Sequence, residues 1–173
     1  MEANKVYLRA VEPEDVDFIL ECESDRDSAR WSDYRAPFSR NQLLTYAFTY
    51  DADPFTSGNL RLIIETPEKD RIGIIDLYDI SEKDSRAFVG ICVHPSFRRK
   101  GFGEKALNEI IMFAKDRMGL IQLVAKVSVI NSHALSLFRK LNFEKLGVLP
   151  CWHKIGTELH DFALLSKMTD SLS

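Results

Sequence analysis

At 173 residues, 45% of them apolar, the chain has the length of one ordinary domain and enough apolar side chains to bury a single core. A formal net charge of −3 argues against a general nucleic-acid or membrane-surface role, which needs a large excess of Lys and Arg. No apolar run reaches the about 18 residues of a membrane-spanning helix.

In chain order, Val6-Tyr7-Leu8-Arg9 is a short strand. Pro13-Glu14-Asp15 then starts a helix, with proline in the first turn and acids facing the dipole, and Val16, Ile19 and Leu20 share one side of it. From Asp25 to Arg40 the text is polar and irregular, with Trp31, Tyr34, Pro37 and Phe38 among charges. Ser39 caps a helix carrying Leu43, Leu44, Ala47 and Phe48, and Asp51 to Asn59 is a loop. Leu60–Glu65 and Ile72–Tyr78 read as two strands at hairpin spacing. A polar turn, Ser81–Ser85, leads to a strand, Ala87–Val93, and then to Val93-His94-Pro95-Ser96-Phe97-Arg98-Arg99-Lys100-Gly101-Phe102-Gly103. The next helix has its stripe at Ala106, Leu107, Ile110, Ile111 and Ala114 and a C-cap at Gly119. Leu120–Ile130 is β-rich, and Asn131-Ser132 opens another helix with Leu135, Phe138 and Leu141. Phe143–Leu149 and His160–Ser166 are closing strands, with Cys151–Glu158 between them. The order predicts one domain over residues 1–173, of α/β (α+β) class, with a mixed sheet and helices on both faces.

The strand, basic glycine turn and helix start at Val93–Gly103 form an arrangement that holds an anion. Unpaired N–H groups and the helix dipole point at it, and glycines let the backbone come close to phosphate. A nucleotide P-loop needs Lys-Ser or Lys-Thr at the last glycine, whereas Gly103 is followed by Glu104. A dinucleotide fold places its glycine turn after the first strand, and this turn lies in the second half of the chain. Cys22, Cys92 and Cys151 are odd in number, far apart in sequence and not in metal-ligand spacing, so they read as reduced thiols. His153 and His160 have no second ligand at suitable spacing, and no metal is expected. No apolar segment of a signal peptide follows Met1-Glu2-Ala3-Asn4-Lys5, which makes a cytoplasmic location the default.

Arg98-Arg99-Lys100-Gly101-Phe102-Gly103 resembles the signature of the GCN5-related N-acetyltransferases: Gln or Arg, two residues, Gly, any residue, then Gly or Ala. Asn131 to Phe143 is similar to that family's second signature, an asparagine followed by alanine, an aromatic and a Lys-Leu-Gly-Phe ending. Tyr7-Leu8-Arg9-Ala10 with Glu14-Asp15 resembles the branch containing ribosomal-protein N-terminal acetyltransferases and spermidine acetyltransferases. The resemblance covers nearly the whole chain and is weak between Asp25 and Asn59.

It implies a mostly antiparallel sheet of six to seven strands, splayed between the fourth and fifth to admit acetyl-CoA. Arg98, Arg99, Lys100, Gly101, Phe102 and Gly103 would hold the pyrophosphate, and Ile91, Cys92 and Val93 would carry the pantetheine arm. Asn131 and Phe138 would reach the arm from the other wall. A backbone N–H near Cys92 or Val93 would polarise the thioester carbonyl. The implied reaction is direct attack of a primary amine, from a polyamine-like small molecule or a protein N-terminus, on the acetyl group. An amine of pKa near 10 needs a base or a water chain to one. Phe88 stands where many relatives carry a glutamate for this, so the candidates are Asp76 and then Asp33. Phe138 replaces the tyrosine that protonates the departing thiolate in many relatives. Those two replacements motivate the alternative, a non-catalytic acyl-CoA-binding regulatory domain. Cys92 reads as a small residue beside the pantetheine, with no cationic partner apparent to activate it. Trp31, Tyr34 and Phe38 either line the amine pocket or cover the first helix, and Asp25, Asp27, Asp33, Asp51 and Asp53 could make an acidic pocket for a polyamine. The resemblance also implies pairing of closing strands across a two-fold axis in a homodimer, while the net charge leaves no nucleic-acid or membrane partner expected.

Overall fold

The apolar runs become the strands of one seven-stranded sheet in a computed structural model that describes residues 5–31, 39–49 and 53–169. The strands are β1 (Tyr7–Ala10), β2 (Asn59–Glu65), β3 (Arg71–Ser81), β4 (Arg86–Val93), β5 (Gln122–Ser128), β6 (Glu144–Ile155) and β7 (Glu158–Met168), in the spatial order β1-β2-β3-β4-β5-β7-β6. Neighbours are antiparallel except β4 and β5, which run parallel. The helices are α1 (Val16–Ser24), α2 (Arg26–Ala29), α3 (Arg40–Thr49), α4 (Pro54–Ser57), α5 (Phe102–Asp116) and α6 (Ser132–Lys140).

Strand alternation sends Ile75, Leu77, Val89, Leu123 and Val127 to one face, where they pack on Ala106, Leu107 and Ile110 of α5 and Phe138 of α6. Ile63 and Ile74 face the other way, under Val16, Ile19 and Cys22 of α1 and Leu43 of α3. Each fully buried Leu or Ile contributes about 1.5–3 kcal/mol, which is why the amphipathic helices settle on these two faces.

β4 and β5 pair over only Arg86↔Gln122, Ala87↔Leu123 and Phe88↔Val124, after which both strands continue and diverge. The expected splay is therefore present, between the strands expected to carry it. On the far side of β4, β3 comes so close that a Cβ at Gly73 would sit 2.2 Å from the Cys92 carbonyl oxygen. Only glycine fits there.

Four readings change. The irregular segment after Asp25 contains α2, whose first turn is capped by Asp25, and the loop before Asn59 contains α4, capped by Asp53. Four-residue helices have no room for an apolar stripe, so periodicity could not reveal them. Phe48 stands 72% exposed instead of joining the stripe of α3. The segment from Cys151 to Ile155 is not a connection but the second half of β6, which reverses at Gly156-Thr157. Pro150 disguises it. As an edge strand β6 tolerates a proline, and its register slips between Leu149 and His153, where Cys151 N donates to Asp161 Oδ1 at 2.8 Å.

A clamp of charges ties β1 to the rest. Arg9 donates to both oxygens of Asp15, at 2.6 and 2.9 Å, and to Glu65 Oε2 at 2.6 Å. Burial works against the charge on Asp15, but the hydrogen bond from Arg9 prevails and lowers its pKa. The same guanidinium lowers that of Glu65. Carboxyls with depressed folded values contribute stability that is complete above about pH 4 and is lost as pH falls through those values. The expected result is a lower urea midpoint at pH 3 than at pH 7, with the difference reduced in Arg9→Met.

Candidate active site

The basic turn reaches α5 through two left-handed residues, Arg99 (φ 60) and Gly101 (φ 85). The first helical hydrogen bond runs from Lys105 N to Gly101 O, and no side chain among the described residues caps the end. The N–H groups of Phe102, Gly103 and Glu104 thus precede any helical acceptor, at the positive end of the helix dipole. Glu104, which would repel an anion if it turned inward, instead accepts from Lys140 of α6 at 2.6 Å. Arg99 is exposed, and Lys100 Nζ reaches Ser96 O at 2.8 Å from a position over the Phe97 ring.

The Arg98 side chain departs from its expected role beside phosphate. It folds inward, donating from Nε to Val93 O at 2.9 Å and from Nη2 to Asp25 Oδ2 and Ser28 Oγ at 2.5 and 2.8 Å. That hydrogen bond lowers the pKa of Asp25. Arg98 is therefore a strut between the glycine turn, the end of β4 and the start of α2.

His94 N donates to Ile72 O of β3 at 2.8 Å. Because N–H direction alternates along a strand, the N–H groups of Ile91 and Val93 point the other way, into the opening that β5 has left. The Cys92 N–H points to β3, so of the two expected oxyanion donors Val93 is the one facing the cleft. Counting on from Phe88↔Val124 sets Ser128 of β5 level with Cys92 across the opening. Asn131 lies just beyond, its Oδ1 accepting from Ala134 N at 3.1 Å as the N-cap of α6.

A cavity of about 760 Å³ opens from this cleft. Ile91, Asn131 and Phe138 line it, Asp76, Gly90 and Ser128 lie on the α1 side of the sheet, and Trp31, Gln42 and Tyr46 form the cover. Gly90 leaves the space open, since a Cβ there would meet only Tyr78 Cε1, at 3.7 Å. Asp76 is held by Arg61 of β2, whose Nε and Nη2 donate to its two oxygens at 2.8 and 3.0 Å. Arg61 Nη1 donates to Glu23 Oε1 of α1 at 2.7 Å, leaving Glu23 Oε2 buried without a partner among the described residues. Burial raises the pKa of Glu23 against the opposing pull of Arg61. Lys126 contributes a second cation to the lining, 5.9 Å from the centroid of Trp152 and 6.0 Å from that of Phe162.

The structure thus brings Asp76, Ile91, Asn131 and Phe138 into one cavity, whereas Asp33, Tyr34, Phe38 and Asp51 lie outside the described residues. The acidic pocket expected from Asp25, Asp27 and Asp53 is not formed by them. Asp25 and Asp53 are helix caps, Asp27 faces Arg98 at 3.7 Å, and none lines the cavity. Arg61, Glu23, Lys126 and Ser128 were not singled out in the sequence. A signal existed for Arg61, the one charge inside an apolar strand and two residues from Ile63 on the same face.

Cys92 is also reassigned. It is not on the cavity wall but under α1, with Sγ 3.2 Å from Ser28 Oγ and 3.6 Å from Cys22 O. A cation does reach it, since Ser28 is itself held by Arg98. The neighbouring Cys22 side chain, helped by Ser28 and Arg98, lowers the Cys92 pKa against its burial, while that of Cys22 is pushed up.

The chain is similar to known proteins in sequence and in fold. Residues 5–144 match the family model described as an acetyltransferase (GNAT) domain. An uncharacterized N-acetyltransferase of Bacillus subtilis (strain 168) is 26% identical over 150 residues, covering 86% of this chain and 85% of the relative. The spermidine N(1)-acetyltransferase of Escherichia coli (strain K12) is 23% identical over 147 residues, covering 85% and 77%. Among solved structures, spermidine N-acetyltransferase from Vibrio cholerae in complex with CoA and spermine superposes with a TM-score of 0.85 at 23% identity, covering 95% of this chain and 96% of that one.

Proposed function

Because the chain belongs to the acetyltransferase (GNAT) domain family, we propose that it transfers the acetyl group of acetyl-CoA to a primary amine by direct attack on the thioester. The observation that carries this reading is the continuous path from the uncapped start of α5, along the unpaired edge of β4, to the cavity holding Asp76. Backbone N–H groups from Gly101 to Gly103, with Arg99 and Lys100 above them, hold the pyrophosphate. Ile91 and Val93 bond the pantetheine arm, and the Val93 N–H polarises the thioester carbonyl. Asn131 and Phe138 close the opposite wall. As the amine attacks, the C–N bond forms and the C–S bond breaks. The amine's surplus proton passes to Asp76, directly or through water, and the thiolate leaves without help from Phe138. With a thiol pKa near 8.5 it is a tolerable leaving group.

A small acceptor fits better than a peptide, because a cavity of about 760 Å³ is within the range of small-molecule sites, about 300–1,000 Å³. The spermidine acetyltransferases among the relatives support a polyamine-like amine, and they favour an enzyme over a non-catalytic CoA-binding domain. Among the described residues that line it, the cavity sets Asp76 beside two cations, Arg61 and Lys126, so a polycation draws its attraction from that carboxylate. Thiol release measured with acetyl-CoA across spermidine, short diamines and peptides with unblocked N-termini tests the acceptor. Turnover is expected with the small amines, and turnover confined to peptides would overturn that choice. The same proposal places the protein in the cytoplasm. It also pairs two copies through the β6 edge, where Leu146, Val148 and Trp152 are exposed.

A further inference from the structure

Cys22 and Cys92 stand seventy positions apart in the sequence, yet the fold sets them together between α1 and β4. Cys92 Sγ donates to the Cys22 backbone carbonyl oxygen at 3.6 Å, and both side chains pack in the cluster between α1 and the sheet. Cys22 is fully buried, whereas Cys92 is only partly so. The surroundings of Cys92 are not those of an inert core thiol. Ser28 Oγ lies 3.2 Å from its sulfur, and the Arg98 guanidinium donates to that same hydroxyl. A hydroxyl backed by a cation stabilises a thiolate.

We propose that Cys22 and Cys92 form an oxidative modification site, in which a hydroperoxide converts the pair to an intramolecular disulfide that slackens the CoA-binding turn. The Cys92 thiolate attacks the nearer peroxide oxygen, the O–O bond breaks, and an alcohol or water leaves with a proton, giving a sulfenic acid on Cys92. The Cys22 sulfur then attacks the Cys92 sulfur, the S–O bond breaks, and the Cys22 proton leaves with the departing hydroxide as water. Two thiols lose two electrons and two protons in all, and the peroxide gains both. The pKa of Cys92 is lowered, which favours the attacking thiolate, and the Cys22 thiol, pushed up, keeps the proton the second step releases.

The structural consequence runs through Arg98. Bonding to Cys22 draws the Cys92 sulfur away from Ser28, and Ser28 is one of the anchors holding Arg98 between Val93 O and Asp25. Acetyl-CoA affinity then falls by about tenfold, the worth of one hydrogen bond to a charged group. This effect on affinity rests on the proposed CoA cleft, whereas the disulfide does not.

The test uses the full chain carrying Cys151→Ala, which removes the exposed thiol. The protein is treated with hydrogen peroxide at neutral pH and then digested without reduction. A peptide linking Cys22 to Cys92, two hydrogens lighter than its separate halves and released by dithiothreitol, is expected. Oxygen added to either sulfur with no linked peptide, or both thiols surviving unmodified, would overturn the site. Acetyl-CoA binding is measured on the oxidised and re-reduced samples. Unchanged affinity in a protein that binds acetyl-CoA contradicts the coupling to the turn, while no binding before oxidation contradicts the cleft assignment and leaves the disulfide result standing. Cys92→Ser serves as control and yields no linked peptide.

Discussion

Replacing Arg61 with methionine is expected to lower folding stability by about 3–5 kcal/mol, the cost of leaving buried charges without their partner. The Arg61 side chain is 14% exposed and its fork serves two carboxylates, Asp76 on the adjacent strand and Glu23 on α1. Both hold it protonated despite its burial. Methionine matches the stem and removes all three hydrogen bonds, so Glu23 and Asp76 are left facing each other beneath α1. Urea unfolding gives the magnitude. The triple variant Arg61→Met, Glu23→Gln, Asp76→Asn is expected to recover most of it, because neutral amides carry no uncompensated charge. A loss below about 1 kcal/mol in the single variant would show that the group is solvated like a surface pair.

The second large effect is on the donor. Gly101 sits at φ 85, a conformation that a β-branched side chain reaches only with strain. Gly101→Val either distorts the turn or sets a side chain over the N–H groups that precede the first helical bond. Calorimetric titration is expected to show acetyl-CoA binding at least about tenfold weaker, with a folding cost of about 1–3 kcal/mol. Gly103 makes the same point from inside the helix. A Cβ there would lie 3.3 Å from Leu137 Cδ2, so a larger residue pushes α6 away from α5. Wild-type affinity in Gly101→Val would mean that the phosphates bind elsewhere.

The turn and helix start proposed to hold the donor could be read in the sequence because their geometry is local. Glycines, a proline and a cationic run within Val93–Gly103 fix a turn and a helix start, and strand alternation sets the neighbouring β4 residues. The sheet was legible for the same reason, except where Pro150 concealed the second half of β6. The cavity proposed for the acceptor was not legible, because it is built across the sheet. Asp76 could be suggested, but its grip by Arg61 depends on the β2–β3 register and its tie to Glu23 on where α1 lands. Arg98 misled for a similar reason. Its neighbours in sequence are cations, while its partners in space are Asp25 and Ser28, more than sixty positions away. The three cysteines looked unrelated until the packing of α1 on β4 brought two of them together.

The most direct measurement is the fate of the acetyl group itself. The protein is mixed with acetyl-CoA labelled in its acetyl carbons and with spermidine, and the products are identified by mass. The expected result is labelled acetyl on a primary amine nitrogen, with one CoA thiol released per acetyl transferred and a rate that saturates with acetyl-CoA. Binding of acetyl-CoA without transfer to spermidine or to any amine or peptide offered would contradict it, and would leave a CoA-binding domain without chemistry.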